Sequence, residues 1–282
     1  MKNRLKRFVR LWIDLFAKHE LLDHASAIAF QVLKALVPLT LLGLALLGAL
    51  GEERVWRKTI SPWIKPHVQP ATLHALDVAV EKIFTTESAG LIAFAGLLSV
   101  WYVSGSVRAV MGALTQIYET DEDRPWPVRY AISFGLAFCI AVGVIGAVLL
   151  VATGAGLAPN GVLGGVVDVG RWLLAIGLLG LALGLLVRFA PDERRSKRWT
   201  STGTALVIAA WIVASAIFKL FVGDVANFKT ATGSLAVFLV LIGYVYTSSI
   251  IFLVGVEVDE LLREEARAGE RGVLHVLFGY GK

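Results

Sequence analysis

Charge is scarce in this chain and cysteine nearly absent. Lys, Arg, Asp and Glu make up 17% of the 282 residues, against about a quarter in soluble domains, which excludes an ordinary water-soluble domain. A single cysteine, Cys139, excludes an intramolecular disulfide and any multi-cysteine metal site. It stands in an apolar run and reads as a packing residue. The five histidines are dispersed, and neither HExxH nor a GxxxxGK[ST] loop occurs, so zinc-dependent and P-loop hydrolysis lack their residues. A nuclease needs clustered carboxylates or histidines beside a basic groove, and that constellation is missing too. No enzyme activity, cofactor or metal is expected. The net charge of +5 does not point to nucleic acid, because the basic residues gather at the edges of apolar segments.

What the chain has instead is apolar length. Hydrophobic residues make up 56% of it, and the mean hydropathy is +0.71. Six segments are apolar all round and long enough to cross hydrocarbon: Ala25–Leu50, Ala89–Ile117, Val128–Ala152, Trp172–Ala190, Thr200–Val222 and Ser234–Leu253. They must be helices, since lipid offers backbone groups no partners, and unbroken runs such as Trp172–Leu186 lack the alternation of barrel strands. The predicted fold class is therefore all-α, a polytopic six-helix membrane protein. Its parts are a cytoplasmic amphipathic segment 1–24, a six-span domain 25–260 and a cytoplasmic tail 261–282. The first apolar run begins about two dozen residues in and exceeds the ~7–15-residue core of a signal peptide, so it is a retained span.

Orientation follows lysine and arginine. Lys2, Arg4, Lys6, Arg7, Arg10 and Lys18 precede the first span, and Arg194, Arg195, Lys197 and Arg198 fill the fourth connection. Both stretches are assigned to the cytoplasm, and six spans return Arg263, Arg267 and Arg271 there as well. The connection Thr153–Gly170 has no lysine or arginine and is assigned outside. Residues 51–88 are also placed outside, where Leu73, Leu76, Val80, Ile83 and Phe84 form the stripe of a helix lying over the bundle, as a cap or a lid. His74, Asp77 and Glu81 on that helix read as a solvated surface. Leu5, Phe8, Trp12, Leu15 and Phe16 recur at helical spacing against a polar face, the pattern of an interfacial helix on anionic lipid.

Polar residues inside spans carry the functional signal, because ionisable groups at membrane depth are costly and mark pathways or buried networks. His24, Gln31, Lys34 and Pro38 lie along one face of the first span, a face expected to avoid lipid. Arg108 lies in the second span at a depth judged comparable to Lys34. Two such cations facing one cavity attract an anion. Glu257, near the inner end of the last span and on a face with Tyr246, is expected to neutralise Lys34 or Arg108. Thr204, Trp211, Ser215 and Lys219 form a further polar stripe in the fifth span, with Lys219 near its end. Gly180 and Gly184 at four-residue spacing invite close helix association, within the chain or in a homo-oligomer.

Three stretches carry a family resemblance: ASAIAFQVLKALVPL (Ala25–Leu39), TQIYETDEDRP (Thr115–Pro125) and TGSLAVFLVLIGYVYTSSIIFLVGVE (Thr232–Glu257). Together, in this order, they resemble the YihY/virulence factor BrkB family over Asp23 to Glu260. Thr232 and the acidic Asp121, Glu122 and Asp123 depart from its pattern. The resemblance implies a six-helix bundle in the bacterial plasma (inner) membrane and transport of an envelope component such as a lipid. Some relatives have been labelled ribonuclease BN, a name for which no catalytic residues are present. The leading expectation is a transporter or flippase of an anionic lipid or small anion, with membrane lipids as partners. The alternative is a non-transporting scaffold for envelope integrity, in which the same residues lock helices together.

Overall fold

The structure, a computed structural model, describes residues 12–65, 70–85, 89–120, 123–154, 162–191, 202–221 and 231–268. Among these residues there is no strand. A short helix α1 (12–18) meets the long α2 (Leu21–Ala49) at a sharp corner. There follow α3 (Glu53–Val55), one π-helical turn (Trp56–Ile60), α4 (Ser61–Ile64) and α5 (Pro70–Thr85). The remaining helices are α6 (Ala89–Ile117), α7 (Trp126–Gly154), α8 (Val162–Phe189), α9 (Thr202–Leu220) and α10 (Ala231–Ala268).

Five of these, α2, α6, α7, α8 and α10, are long and apolar enough to cross a membrane. The sixth, α9, has 19 residues, about 28 Å at the helical rise, close to a hydrocarbon core of about 30 Å. The chain is thus an all-α, multi-pass membrane protein. Its outer faces bear side chains that water would not tolerate in such number: Val37, Leu97, Ile212 and Leu239 are all well over half exposed.

Each helix packs on its neighbours in the order α8, α7, α6, α2, α10, α9, with α2 against α6 as the most extensive interface. Among the described residues α8 has α7 as its principal partner and α9 has α10, so the helices form an open row with these two at its ends. Along α2–α6 the buried seam is Leu21, Ala25, Ile28 and Ala35 against Val103, Val107, Val110 and Leu114. Small residues permit the closest approaches. A Cβ at Gly143 would stand 3.4 Å from the Ala182 side chain, whereas nothing lies within 4 Å of one at Gly177 or Gly180. Among the described residues the close approach of α7 and α8 has its glycine on α7 and its alanine on α8.

The helices outrun the spans expected from hydropathy. Helix α2 starts at Leu21, α8 occupies Val162–Gly170 of the supposed third connection, and α10 continues to Ala268. Hydropathy stops at the headgroups, but backbone hydrogen bonding does not; Asp259–Arg263, rich in good helix formers, extends α10. At the far end of the bundle α5 lies against α2, with Val80 buried and Phe84 packed on Gly48. Asp77 and Glu81 do more than face solvent: Trp56 Nε1 donates to Asp77 at 2.8 Å, and Arg57 Nη2 donates to both Glu81 oxygens at 3.0 and 2.9 Å. They tether the π turn to α5.

Candidate functional site

Helix α2 runs away from the corner and α6 runs back towards it. Two pairings set their register. Gln31 Oε1 would be 3.0 Å from a Cβ at Gly105, and Lys34 Nζ sits 5.4 Å from the ring centre of Tyr102. On that register Arg108 lies six residues, roughly 9 Å, nearer the corner than Lys34, with Gln31 at half that distance. The side chains narrow that offset: Arg108 reaches back to Ser104, with Nη2 3.9 Å from a Cβ at Gly105, the level of Gln31, and the Lys34 ammonium leans towards Phe30. Lys34 is near the midpoint of α2.

Helical spacing puts Trp101, Gly105 and Arg108 on one side of α6 and the buried Val103, Val110 and Leu114 on the other. The first side forms a groove between α2 and α7 that opens at the surface of the row. Trp101 of α6 and Phe134, Tyr130 and Trp126 of α7 form a column of rings along it, with successive centroids 5.8, 6.5 and 6.0 Å apart. Arg108 Nη1 donates to Ser104 Oγ at 2.9 Å and Ser133 Oγ at 3.2 Å, and its guanidinium lies 4.5 Å from the Tyr130 ring centre. Lys34 is exposed, contrary to the expectation that its face avoids lipid. Its ammonium rests against the rings of Phe30, at 5.1 Å, and Tyr102. Pro38, buried in α2, brings no N–H to the carbonyl of Lys34 one turn back. That level of the groove thus gains an acceptor beside its cation.

Glu257 does not neutralise either cation. It is buried on the opposite side of α6 and α2, where its Oε2 lies 2.9 Å from His19 Nδ1. The ring's other nitrogen, Nε2, lies 3.4 Å from Glu119 Oε1. Lys18 also donates to Glu119. The Lys18 hydrogen bond, reinforced by that of His19, holds the Glu119 carboxyl below the usual carboxylate range. Glu20 and Glu119, both at this corner, adopt left-handed backbone with φ of 47° and 49°.

Of the residues singled out in the sequence, Gln31, Lys34, Pro38 and Arg108 gather on the α2–α6–α7 groove, and Glu257 belongs to the corner cluster. His24 is half-buried on α2, Tyr246 packs against the core, and Lys219 is exposed near the far end of α9. The fifth-span stripe zips α9 to α10: Trp211 Nε1 donates to the Ser248 carbonyl at 3.3 Å, and Ser215 and Tyr244 share a hydrogen bond of 3.0 Å. Sequence reasoning missed His19, Glu119, Ser133 and Tyr130. Glu119 and Glu257 lie within two of the stretches that carried the family resemblance, and that coincidence was the available signal. Among the described residues no group of three or more His, Cys, Asp or Glu is arranged to hold a metal.

The chain is similar to several bacterial proteins over most of its length. The ribonuclease-like protein YfkH of Bacillus subtilis is 22% identical over 278 residues, 95% of this chain and 99% of that one. A UPF0761 membrane protein of Alteromonas mediterranea is 26% identical over 242 residues, 83% of this chain and 80% of its own. One from Rhodospirillum centenum is 27% identical over 251 residues, 87% of this chain and 55% of that longer protein. No solved structure matches. The model of the family described as Virulence factor BrkB matches residues 13–274, nearly all of the six-helix row and both polar sites, and the chain belongs to that family.

Proposed function

We propose that this chain is a bacterial plasma-membrane protein, with the corner end of the bundle cytoplasmic, that moves the headgroup of an anionic lipid along the α2–α6–α7 groove. The observation that carries the reading is Lys34, a cation exposed at the middle of a spanning helix with no carboxylate partner among the described residues. A central lysine costs about 2.5–3.5 kcal/mol on insertion scales, and ring contacts recover roughly 0.5–1 kcal/mol each at open sites. Those contacts do not fully offset the cost, and a phosphate would. The backbone positions of Arg108, Gln31 and Lys34 follow one another at intervals of roughly 4.5 Å, and the guanidinium reaches back to the level of the carboxamide. A headgroup phosphate passes from guanidinium to carboxamide to ammonium without losing a donor. The open side of the groove leaves the acyl chains in the bilayer, which favours a lipid over a small free anion. Basic residues flanking the corner orient that end towards the cytoplasm.

Arg108 favours a second reading. Its hydrogen bonds to Ser104 and Ser133 join α6 to α7, as a scaffold residue would. The test is translocation of tail-labelled phosphatidylglycerol in vesicles bearing the purified protein. Lys34→Gln and Arg108→Gln are each expected to slow it about tenfold or more, the loss of one charge-assisted contact, with the fold retained. Unchanged translocation ends the transport reading, and unfolding of Arg108→Gln in detergent together with normal flux in Lys34→Gln establishes the scaffold.

A further inference from the structure

The corner cluster takes no part in the groove, and its geometry has a chemistry of its own. The His19 side chain is 6% exposed and that of Glu257 2%. The carboxylates of Glu257 and Glu119 approach opposite edges of one imidazole from two separate elements, α10 and the α6–α7 turn. Acceptors at both ring nitrogens are satisfied together only when both nitrogens carry protons, or when a carboxyl holds one of those protons instead. Either way the cluster contains one proton more than its fully deprotonated form. Removing it leaves the lone pair of a buried ring facing a carboxylate, an arrangement that costs more than it would on an exposed ring.

We propose that His19, Glu119 and Glu257 form a proton-binding site whose proton ties the end of α10 to the α1–α2 corner and to the α6–α7 turn. The other charges facing the site have assigned places. Lys18 pairs with Glu119 from the same corner, and Glu20 is exposed beside it. On α10 the buried Glu260 lies 3.8 Å from Arg263, and the half-buried Asp259 precedes it. The left-handed backbone of Glu20 and Glu119, a strained conformation for residues with a side chain, is held in place by the same contacts. When the proton leaves, that strain is released by opening.

The sign follows from linkage. The closed form holds the proton, so the tie is strongest where that proton is bound and weakens as pH rises. One proton gives up to a tenfold change in the opening equilibrium per pH unit. The experiment is amide hydrogen exchange of the full chain in phosphatidylcholine nanodiscs at about pH 6 and about pH 8, corrected for the intrinsic pH dependence of exchange. Expected is a rise of more than about tenfold in opening at residues 254–260 and 19–23, with 108–114 unchanged. His19→Gln opens these segments at both pH values, and Glu119→Gln, altered on the accessible side of the site, reduces the response. Equal opening of the wild-type ends at both pH values overturns the proposal. So does a pH response that survives in His19→Gln, or one shared equally by 108–114. Lipid movement enters none of these measurements, so the groove reading stands or falls separately.

Discussion

Gly105→Ala separates the groove from the fold. Alanine in the interior of a helix is favoured over glycine by about 1 kcal/mol. Opposing this, the new methyl would stand 3.0 Å from Gln31 Oε1 and 3.4 Å from its Cδ, a few tenths of an ångström inside ordinary contact. Gln31 relieves it by swinging its carboxamide aside, at about 0.5–1.5 kcal/mol for leaving its preferred rotamer. The two terms nearly cancel, so thermal unfolding of the variant in detergent is expected to match wild type to within about 1 kcal/mol. Transport is not expected to match. With the carboxamide displaced, the donor between the two cations moves away, and a hydrogen bond to a charged phosphate, worth about 1.5–3 kcal/mol, is lost. Translocation of labelled phosphatidylglycerol should fall about tenfold or more. Gly112→Ala is the control, since nothing stands within 4 Å of its Cβ position on the same helix; it should gain stability and keep full flux. If Gly105→Ala behaves like Gly112→Ala in both assays, Gln31 does not link the cations and the ladder is refuted.

Two further outcomes test the corner end. Glu119 has a depressed folded-state carboxyl, first through Lys18 and then His19, so its stabilisation is present above the ordinary carboxylate range, about 4.3, and is lost as pH falls through it. Between about pH 5 and pH 3 wild type should lose more thermal stability than Glu119→Gln, and parallel profiles would contradict the assignment. Arg124 Nη2 donates to the Ala190 carbonyl at 2.8 Å, at the end of α8, where a cation suits the helix dipole. Arg124→Gln should destabilise α8 by about 1–2 kcal/mol, read as faster amide exchange over 185–190 with α6 unaffected.

The architecture was legible because lipid leaves the backbone few choices. Runs such as Val128–Ala152 can cross hydrocarbon only as helices, and α7 is one, Trp126–Gly154. Helix ends were less legible: α10 keeps its hydrogen bonding to Ala268, well past the apolar run, which hydropathy does not register. In the groove, Lys34 and Arg108 stood out as charges in apolar runs and Gln31 by its spacing. The pairing of Glu257 was misread for a definite reason. Periodicity tells which residues share a face of one helix, but not which neighbour that face meets. Rotation of α10 is fixed by packing of Leu253 and Val256 into the core, and this turns Glu257 to the corner rather than to the groove. His19 was passed over because it lies before the first apolar run, where only the left-handed turn at Glu20 folds it inward.

The open row also implies an order of making. Its groove is built from α2, α6 and α7, the first three long helices to leave the ribosome, and can take shape while the rest is still being synthesised, since chains fold from their amino-terminal part onwards. The contact between His19 and Glu257 spans 238 positions and has to wait for the last helix. A nascent chain therefore carries its cation ladder before it can fasten its corner, and fastening marks the moment when translation of the bundle is complete.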